Sequence, residues 1–484
     1  MARYNKVAVS DRKTTNISGH AAYSLDDKVR LATMALTTML GEPKYYGDNT
    51  DELIQLAEKV AKEDGEFVAK LAVWARCEGN MRSVAHALLS VVSNVNHGTE
   101  YVRKAVRKVA SQRGDDGVET LATYKALYGK PFPHAVIRGV GDALGQMSPN
   151  AVGKYRLGER SFKLRDALRV SHPVPKSGRL SDAFKGLLDG DLKATEGWKT
   201  EVQGGHNDAE TWDRLMSEKK LGYMATLRNL RSIIMSGSDV DRALALIADP
   251  DEVRHSRQLP FRFWTTYKTL KNERLLSTKV SRALDSALVA SCDNVERLPG
   301  RTAVLIDSSG SMSYRVSEKS DATCFEVAAL LGAMFTHISD DAWVAVFSGR
   351  AERVDLMGTS VLADMAAIPF HNGGTDMAAG FDLLCRSGFD ADRVVVLSDN
   401  EVNGGGGWWR TNGKEAVQSG LDRYRIVVGH DVWCHAIDLQ GYGTAQFIGP
   451  KVNIMAGWSD KVLGFVSKVE NGSSFVKEIE SITL

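Results

Sequence analysis

The 484-residue chain has little cysteine: five scattered thiols, at Cys77, Cys292, Cys324, Cys385 and Cys434, and no Cys-x-x-Cys pair. An odd number at wide spacing excludes a disulfide framework and a cysteine-based zinc finger, and leads us to expect a reducing, cytoplasmic setting. Long apolar runs are missing too. None approaches the roughly 18 residues that span a bilayer, and Met1-Ala2-Arg3-Tyr4-Asn5-Lys6 has no apolar signal core. Neither a secretory leader nor a membrane partner is expected. There is no biased tract; with 25% charged and 43% hydrophobic residues and only 11 prolines, disorder, collagen and coiled coil are excluded. The strings for a phosphate-binding Walker loop, a Gly-x-Ser-x-Gly nucleophile and a His-Glu-x-x-His zinc site are also absent, so no enzymatic activity is expected.

Net charge is small as well, at +1, but the total hides two opposite halves. Residues 1–300 carry 46 basic and 37 acidic side chains, and residues 301–484 carry 15 and 23. Residues 101–180 alone hold 16 basic and 6 acidic side chains. Such asymmetry points to an anionic partner for one half only.

Hydrophobic periodicity divides the chain at the same place. In Asp51–Asp64, Leu53, Leu56, Ala57 and Val60 recur at helical spacing. The pattern continues in Phe67–Arg76, Val84–Val92, Val102–Val109, Ala135–Leu144, Phe162–Val170, Tyr223–Ile234, Val240–Ile247 and Val280–Ala290. Successive helices with short links predict a mainly α architecture, an α-solenoid of HEAT-like helical pairs over residues 1–298. From Pro299-Gly300 the texture changes. Short apolar runs at Arg301–Ile306, Trp343–Phe347, Arg393–Leu397, Tyr424–Val428 and Val432–Ile437 alternate with helical patterns at Ala322–Ile338, Met377–Cys385 and Lys461–Val469. Buried strands alternating with helices predict an α/β, doubly wound parallel sheet over 299–484, with ligands at the carboxyl ends of the strands.

The most informative side chains fall at those ends. The first predicted strand runs into Asp307-Ser308-Ser309-Gly310-Ser311, a later loop carries Gly373-Gly374-Thr375-Asp376, and another strand ends in Ser398-Asp399. The order Asp-x-Ser-x-Ser, Gly-Gly-Thr, Ser-Asp resembles the metal-ion-dependent adhesion site of von Willebrand A domains. Asp307, Ser309, Ser311, Thr375 and Asp399 are the candidate ligands: three neutral hydroxyls and two carboxylates suit a hard divalent cation, Mg²⁺ above all. The resemblance implies one coordination position left for a partner's carboxylate. The bland alternative is a set of ordinary turns ending strands; three loops in register argue against it. Beyond Asp399, Gly404–Gly407 and Trp408-Trp409 read either as an aromatic contact surface or as a loop packed back on the domain. His430, Cys434 and His435 have loosely metal-like spacing but sit in or beside strands without a fourth ligand, which favours a structural role.

In the basic window, Arg103, Lys104, Arg107 and Lys108 form a cationic ridge on one predicted helix. Lys125, Lys130 and Arg138 follow, then Lys154, Arg156, Arg160, Lys163, Arg165, Arg169, His172, Lys176 and Arg179, interleaved with Tyr124, Tyr128, Phe132, Tyr155 and Phe162. Cations neutralise phosphates, and aromatic faces stack unpaired bases. The competing reading is a solvated helix surface; the one-sided balance favours RNA, with DNA not expected.

Four strings in the helical half, Gly79-Asn80-Met81-Arg82, Leu168-Arg169-Val170-Ser171-His172-Pro173, Leu227-Arg228-Asn229-Leu230 and Leu259-Pro260-Phe261-Arg262, resemble the TROVE module of the Ro autoantigen family in order and rough spacing. A von Willebrand A domain after such a module is also the Ro arrangement. The resemblance implies a monomeric closed ring of helical repeats. It implies a small structured noncoding RNA, the Y RNA, on the outer surface, and single-stranded 3′ ends of misfolded RNAs in a basic hole. A 3′→5′ exoribonuclease is the implied protein partner, and noncoding-RNA quality control the implied role. His172 matches a family histidine that contacts Y RNA. Lys154 and Arg160 fall near two basic contact positions, displaced by one residue. Arg169 and Arg228 read equally as helix braces, and Asn80 as a turn residue. The rival functional reading is a metal-dependent protein-interaction module that grips a partner's carboxylate, with the helices as scaffold.

Overall fold

The computed structural model describes residues 9–15, 21–37, 49–79, 81–155, 162–192, 198–203, 205–316, 321–399, 413–440, 444–456, 461–471 and 475–484. Two compact units emerge: Asp27–Glu201 together with Phe475–Leu484, and Met1–Asp26 together with Val202–Ser474. Secondary structure changes from helices to an α/β pattern at Leu298, so compactness and element type divide the chain at different points.

The first unit is helical. Asn49–Cys77 is a helical run broken at Asp64, where φ is −147° and ψ 81°. The Asp64 carboxylate accepts the Phe67 backbone N–H at 3.0 Å and so starts the second segment. Helices follow at Arg82–Val95, Glu100–Ala110, Asp116–Tyr128, His134–Leu144, Pro149–Tyr155, Leu164–Ser171 and Gly178–Asp189. The helix Glu100–Ala110 shows why they pack: Val102, Ala105, Val106, Val109 and Ala110 are buried on one stripe. Glycines set the closest approaches. A Cβ on Gly139 would lie 2.7 Å from the Arg103 carbonyl oxygen, and one on Gly141 would lie 2.9 Å from that of Ser171. The helix His134–Leu144 is therefore thin on both sides, with a neighbouring backbone against each. The C-terminal helix Phe475–Glu480 belongs to this unit, where Lys28 Nζ meets Asp64 at 2.7 Å and Glu480 at 2.9 Å.

The second unit begins its helical part at Ala209–Ser217 and continues through Tyr223–Ser236, Val240–Ala248, Pro250–Ser256, Pro260–Asn272 and Thr278–Cys292. Asp208, Asp239, Asp249 and Ser277 cap four of these by accepting backbone N–H groups, and proline starts two.

The strands are β1 (Val9–Thr15), β2 (Ala21–Leu25), β3 (Leu298–Asp307), β4 (Ser339–Phe347), β5 (Ala351–Val354), β6 (Arg393–Ser398), β7 (Trp433–Asp438), β8 (Thr444–Ala445) and β9 (Val452–Ala456). They form a six-stranded sheet in the order β5-β4-β3-β6-β7-β9 and a three-stranded sheet β1-β2-β8. In the larger sheet all pairings are parallel except β4 with β5. Successive residues of β3 show the double winding. Gly332 of helix Cys324–Ile338 lies against Ile306, and Gly380 of helix Met377–Ser387 against Leu305. Because successive strand residues point to opposite faces, helices cover both.

The fold class is as the sequence predicts, helical repeats followed by a doubly wound α/β sheet, but β1 and β2 are strands within residues 1–298, the span read as a helical solenoid, and one run of the α/β part is misread. Tyr424–Val428 is not a strand but the last turns of helix Gly413–Val428. Val417, Leu421 and Tyr424 are buried at helical spacing, while Ile426 and Val427 are 79% and 59% exposed. A short β-branched run cannot be told from a helix end by composition alone. No described helix is long and apolar enough to cross a membrane.

Candidate functional site

Two constellations were predicted, one in each unit. The first lies at the carboxyl end of β3. Parallel pairing in which Ile306 faces Leu397 brings Asp307 beside Ser398, whose hydroxyl donates to Asp307 Oδ2 at 2.7 Å. The other oxygen, Oδ1, accepts the Ser309 backbone N–H at 2.8 Å. Ser309 and Ser311 hydroxyl oxygens lie 3.3 Å apart. The Gly-Gly-Thr loop is stitched on by three backbone hydrogen bonds: Asn372 N–H to Ser308 at 3.0 Å, Gly310 N–H to Gly373 at 2.9 Å, and Asp376 N–H to Ser348 at 2.6 Å. Asp376 then caps the next helix. The loops after β3 and β6 and the Gly-Gly-Thr loop before helix Met377–Ser387 thus meet, and Asp307, Ser309, Thr375 and Asp399 are buried while Ser311 is part-exposed.

Electrostatics distinguish this place from a set of turns. The Asp307 carboxyl is raised well above the ordinary carboxylate range, first by burial and then by the nearby Asp399 carboxylate. Both donors that Asp307 meets are neutral. Two buried carboxylates with adjoining hydroxyls are a hard-oxygen donor set with surplus negative charge, which fits Mg²⁺ or a similar divalent ion.

The other zinc-like residues are otherwise engaged. His435 Nε2 lies 3.0 Å from Glu470 and its Nδ1 3.1 Å from Asn453, and His430 Nε2 lies 2.8 Å from Asp390. Burial pushes the Cys434 thiol up to about 12, which makes it a poor source of thiolate. Gly404–Gly407 and Trp408-Trp409 lie outside the described residues, as do Asn80, Arg156 and Arg160.

Two basic residues of the first unit, Arg103 and Lys176, meet the carboxyl end of helix His134–Leu144. Arg103 reaches across from its own helix to hold Asp142 through two hydrogen bonds, at 2.8 and 3.1 Å. It is therefore not the free cation that the sequence ridge predicts: an internal carboxylate neutralises it. Lys176 Nζ donates to the Gln146 carbonyl at 2.7 Å, and its backbone N–H donates to Gly145 at 3.0 Å. Cations at this end are favoured by the helix dipole. His172 ends helix Leu164–Ser171 in the left-handed conformation, with φ 44°. Arg169, His172 and Lys176 are exposed. So are Lys104, Arg107 and Lys108, the last donating to the Thr483 carbonyl. Lys154 lies over the Tyr155 ring at 5.4 Å, with Arg113 on the same ring at 5.7 Å.

The reading of the aromatics also changes. Most of the interleaved aromatics do not present faces to a ligand: Tyr124, Phe132 and Phe162 are buried in a ring ladder with centroid spacings of 5.9 and 6.3 Å. Arg82, in the Gly-Asn-Met-Arg string, is a brace. It meets Asp116 at 2.6 Å and Asp115 at 3.0 Å, while Arg76 holds the other Asp116 oxygen at 2.8 Å. Sequence reasoning passed over Asp116 and Asp142 because nothing local marks their partners, which lie 34 to 40 residues away.

Comparison with known proteins gives three findings. The TROVE domain model matches residues 189–309, a segment that takes in the Leu227–Leu230 and Leu259–Arg262 strings but lies downstream of the basic window. Telomerase protein component 1 from Mus musculus and its counterpart from Rattus norvegicus are each 34% identical over 94 residues. That stretch is 19% of this chain and 4% of either relative, so the chain spans only a small part of those proteins' length. The crystal structure of the Deinococcus radiodurans Ro (RSR) protein is similar with a TM-score of 0.65 at 18% identity, over 92% of this chain and 100% of that one. The chain thus carries a TROVE segment and has the fold of the Ro (RSR) protein over nearly its whole length.

Proposed function

We propose that this chain is a non-enzymatic RNA-binding protein whose first unit holds structured noncoding RNA of the Y type. The observation that carries the reading is a set of exposed basic side chains on three helices and the loop after them: Lys104 and Arg107, then Lys154, then Arg169, His172 and Lys176. Phosphates spaced along an RNA backbone match such a distributed set, and affinity follows from release of their counterions. Arg103 contributes by fixing Asp142 and the helix spacing rather than by meeting phosphate. Engagement of unpaired 3′ ends, cooperation with a 3′→5′ exoribonuclease and a role in RNA quality control are the finer parts of this proposal. Filter binding of a stem-loop RNA with an unpaired end, over a range of salt concentrations, tests it. Affinity that falls steeply with salt is expected; no binding at low salt overturns the reading.

The buried carboxylate pair favours a second, compatible activity. Asp307, Ser309, Ser311, Thr375 and Asp399 would hold Mg²⁺, which when bound supplies a positive centre for a partner's carboxylate. The chain's own part would be to supply three hydroxyls and two carboxylates to that ion. The expected result is that EDTA and Asp307→Ala abolish binding of a carboxylate-bearing partner while leaving RNA affinity intact. Equal loss of RNA affinity under EDTA would argue against two separate activities.

A further inference from the structure

Among the described residues of the first unit, one large aliphatic side chain stands out against its surroundings. Val174 is 84% exposed, in the loop His172-Pro173-Val174-Pro175-Lys176. Apolar side chains so exposed are common singly, and most need no explanation. This one is held up by a rigid mount. Prolines flank it on both sides and restrict its backbone. The loop is anchored before Val174 by the His172 N–H to Leu168, at 3.0 Å, and after it by the Lys176 N–H to Gly145, at 3.0 Å. The Val174 carbonyl also seats directly on Gly145, where any side chain would collide with it. Ordering entropy is thus already spent in the free protein.

The surroundings select the occupant. Arg169, His172 and Lys176 are exposed on either side of Val174 within the same short stretch. An aliphatic tip beside two cations and an imidazole complements a polyanion that also offers an apolar face. Structured RNA presents such a face only where a base leaves the helical stack, because A-form stems hide their bases and show phosphate and ribose. Apolar wedges set among cationic contacts act this way on nucleic acid generally.

We propose that Val174 is a specificity contact that packs on the face of an unstacked nucleobase, while Arg169, His172 and Lys176 hold the adjoining phosphates. This rests on the RNA-binding reading above and adds a preference: RNA with an unpaired base beside a stem binds more tightly than a continuous duplex.

The test uses the full chain and two probes, a stem-loop RNA carrying 2-aminopurine in its loop and the same strand annealed to its full complement. The wild-type protein is expected to prefer the stem-loop and to change the 2-aminopurine emission. Val174→Ala, which removes two methyl groups from an exposed site, is expected to weaken the stem-loop roughly tenfold and leave the duplex unchanged. Val174→Leu is expected to restore the preference. Arg169→Ala is expected to weaken both probes alike. If the wild type binds both probes and Val174→Ala alters neither affinity nor emission, the Val174 assignment is overturned while the RNA-binding reading stands. If the wild type binds neither probe, both fall.

Discussion

Asp116→Asn is the most direct test of how the helical unit is held together. Asp116 is completely buried and takes Arg76 at 2.8 Å and Arg82 at 2.6 Å on its two oxygens, with His86 Nε2 at 3.4 Å. Despite burial, which acts to raise it, its carboxyl is held down to about 2 by His86, Arg82 and Arg76. From an ordinary value of 3.8, at 1.36 kcal/mol per unit, the ionised form stabilises the folded state by about 2 kcal/mol. That is an upper value for the pairing itself, since Arg76 and Arg82 keep 14% and 23% of their side-chain surface. Leaving two part-buried guanidiniums short of a partner adds to the cost, so a loss of about 2 to 3 kcal/mol at pH 7 is expected. The sign with pH follows. A depressed folded pKa gives stability that is complete above about 4 and lost as pH falls through about 2. Urea unfolding followed by far-ultraviolet circular dichroism should therefore show a wild-type advantage at pH 7 that closes between pH 4 and pH 2. A variant as stable as wild type at pH 7, or a gap that persists unchanged at pH 2, would refute the ionised hub.

Arg107→Ala should weaken RNA binding and lower the slope of log affinity against log salt by about 1. Arg103→Ala should leave that slope unchanged and instead lower stability slightly, because its pair with Asp142 is largely solvent-screened. At the carboxyl end of β3, Asp307→Asn removes one of two buried like charges. In EDTA the variant should unfold no lower than the parent, and millimolar Mg²⁺ should raise the melting temperature of the parent alone. A variant that still responds to Mg²⁺ would remove Asp307 from the ligand set.

Much of this was legible in the chain because it is local. Helical spacing at Val102, Ala105, Val106 and Val109, and the sequence Asp307-x-Ser309-x-Ser311 after an apolar strand, carry their own meaning. The convergence of the three loops is also implied, since parallel strands in a doubly wound sheet put their ends together. What stayed hidden is long-range. Arg103 looks the same in sequence whether it faces solvent or Asp142, and Arg82 gives no sign of Asp116. The aromatics of the basic window are equally silent about each other, yet Phe132 and Phe162 meet edge to face. Tyr424–Val428 failed for the opposite reason: its local signal is real but ambiguous, and the burial of Leu421 and Tyr424 decided it.

The helix His134–Leu144 has one more consequence. Its glycines let the backbones of Arg103 and Ser171 press close from either side, so its girth sets the spacing between the helix that carries Lys104 and Arg107 and the helix end that carries Arg169 and His172. On the proposed RNA reading, the stride of a polyanion that meets both is written in residues that bear no charge. A methyl group added at Gly139 or Gly141 would re-gauge that stride without touching a single cation. Changes in which RNA fits would therefore be sought first among these silent positions, where a charge count never changes.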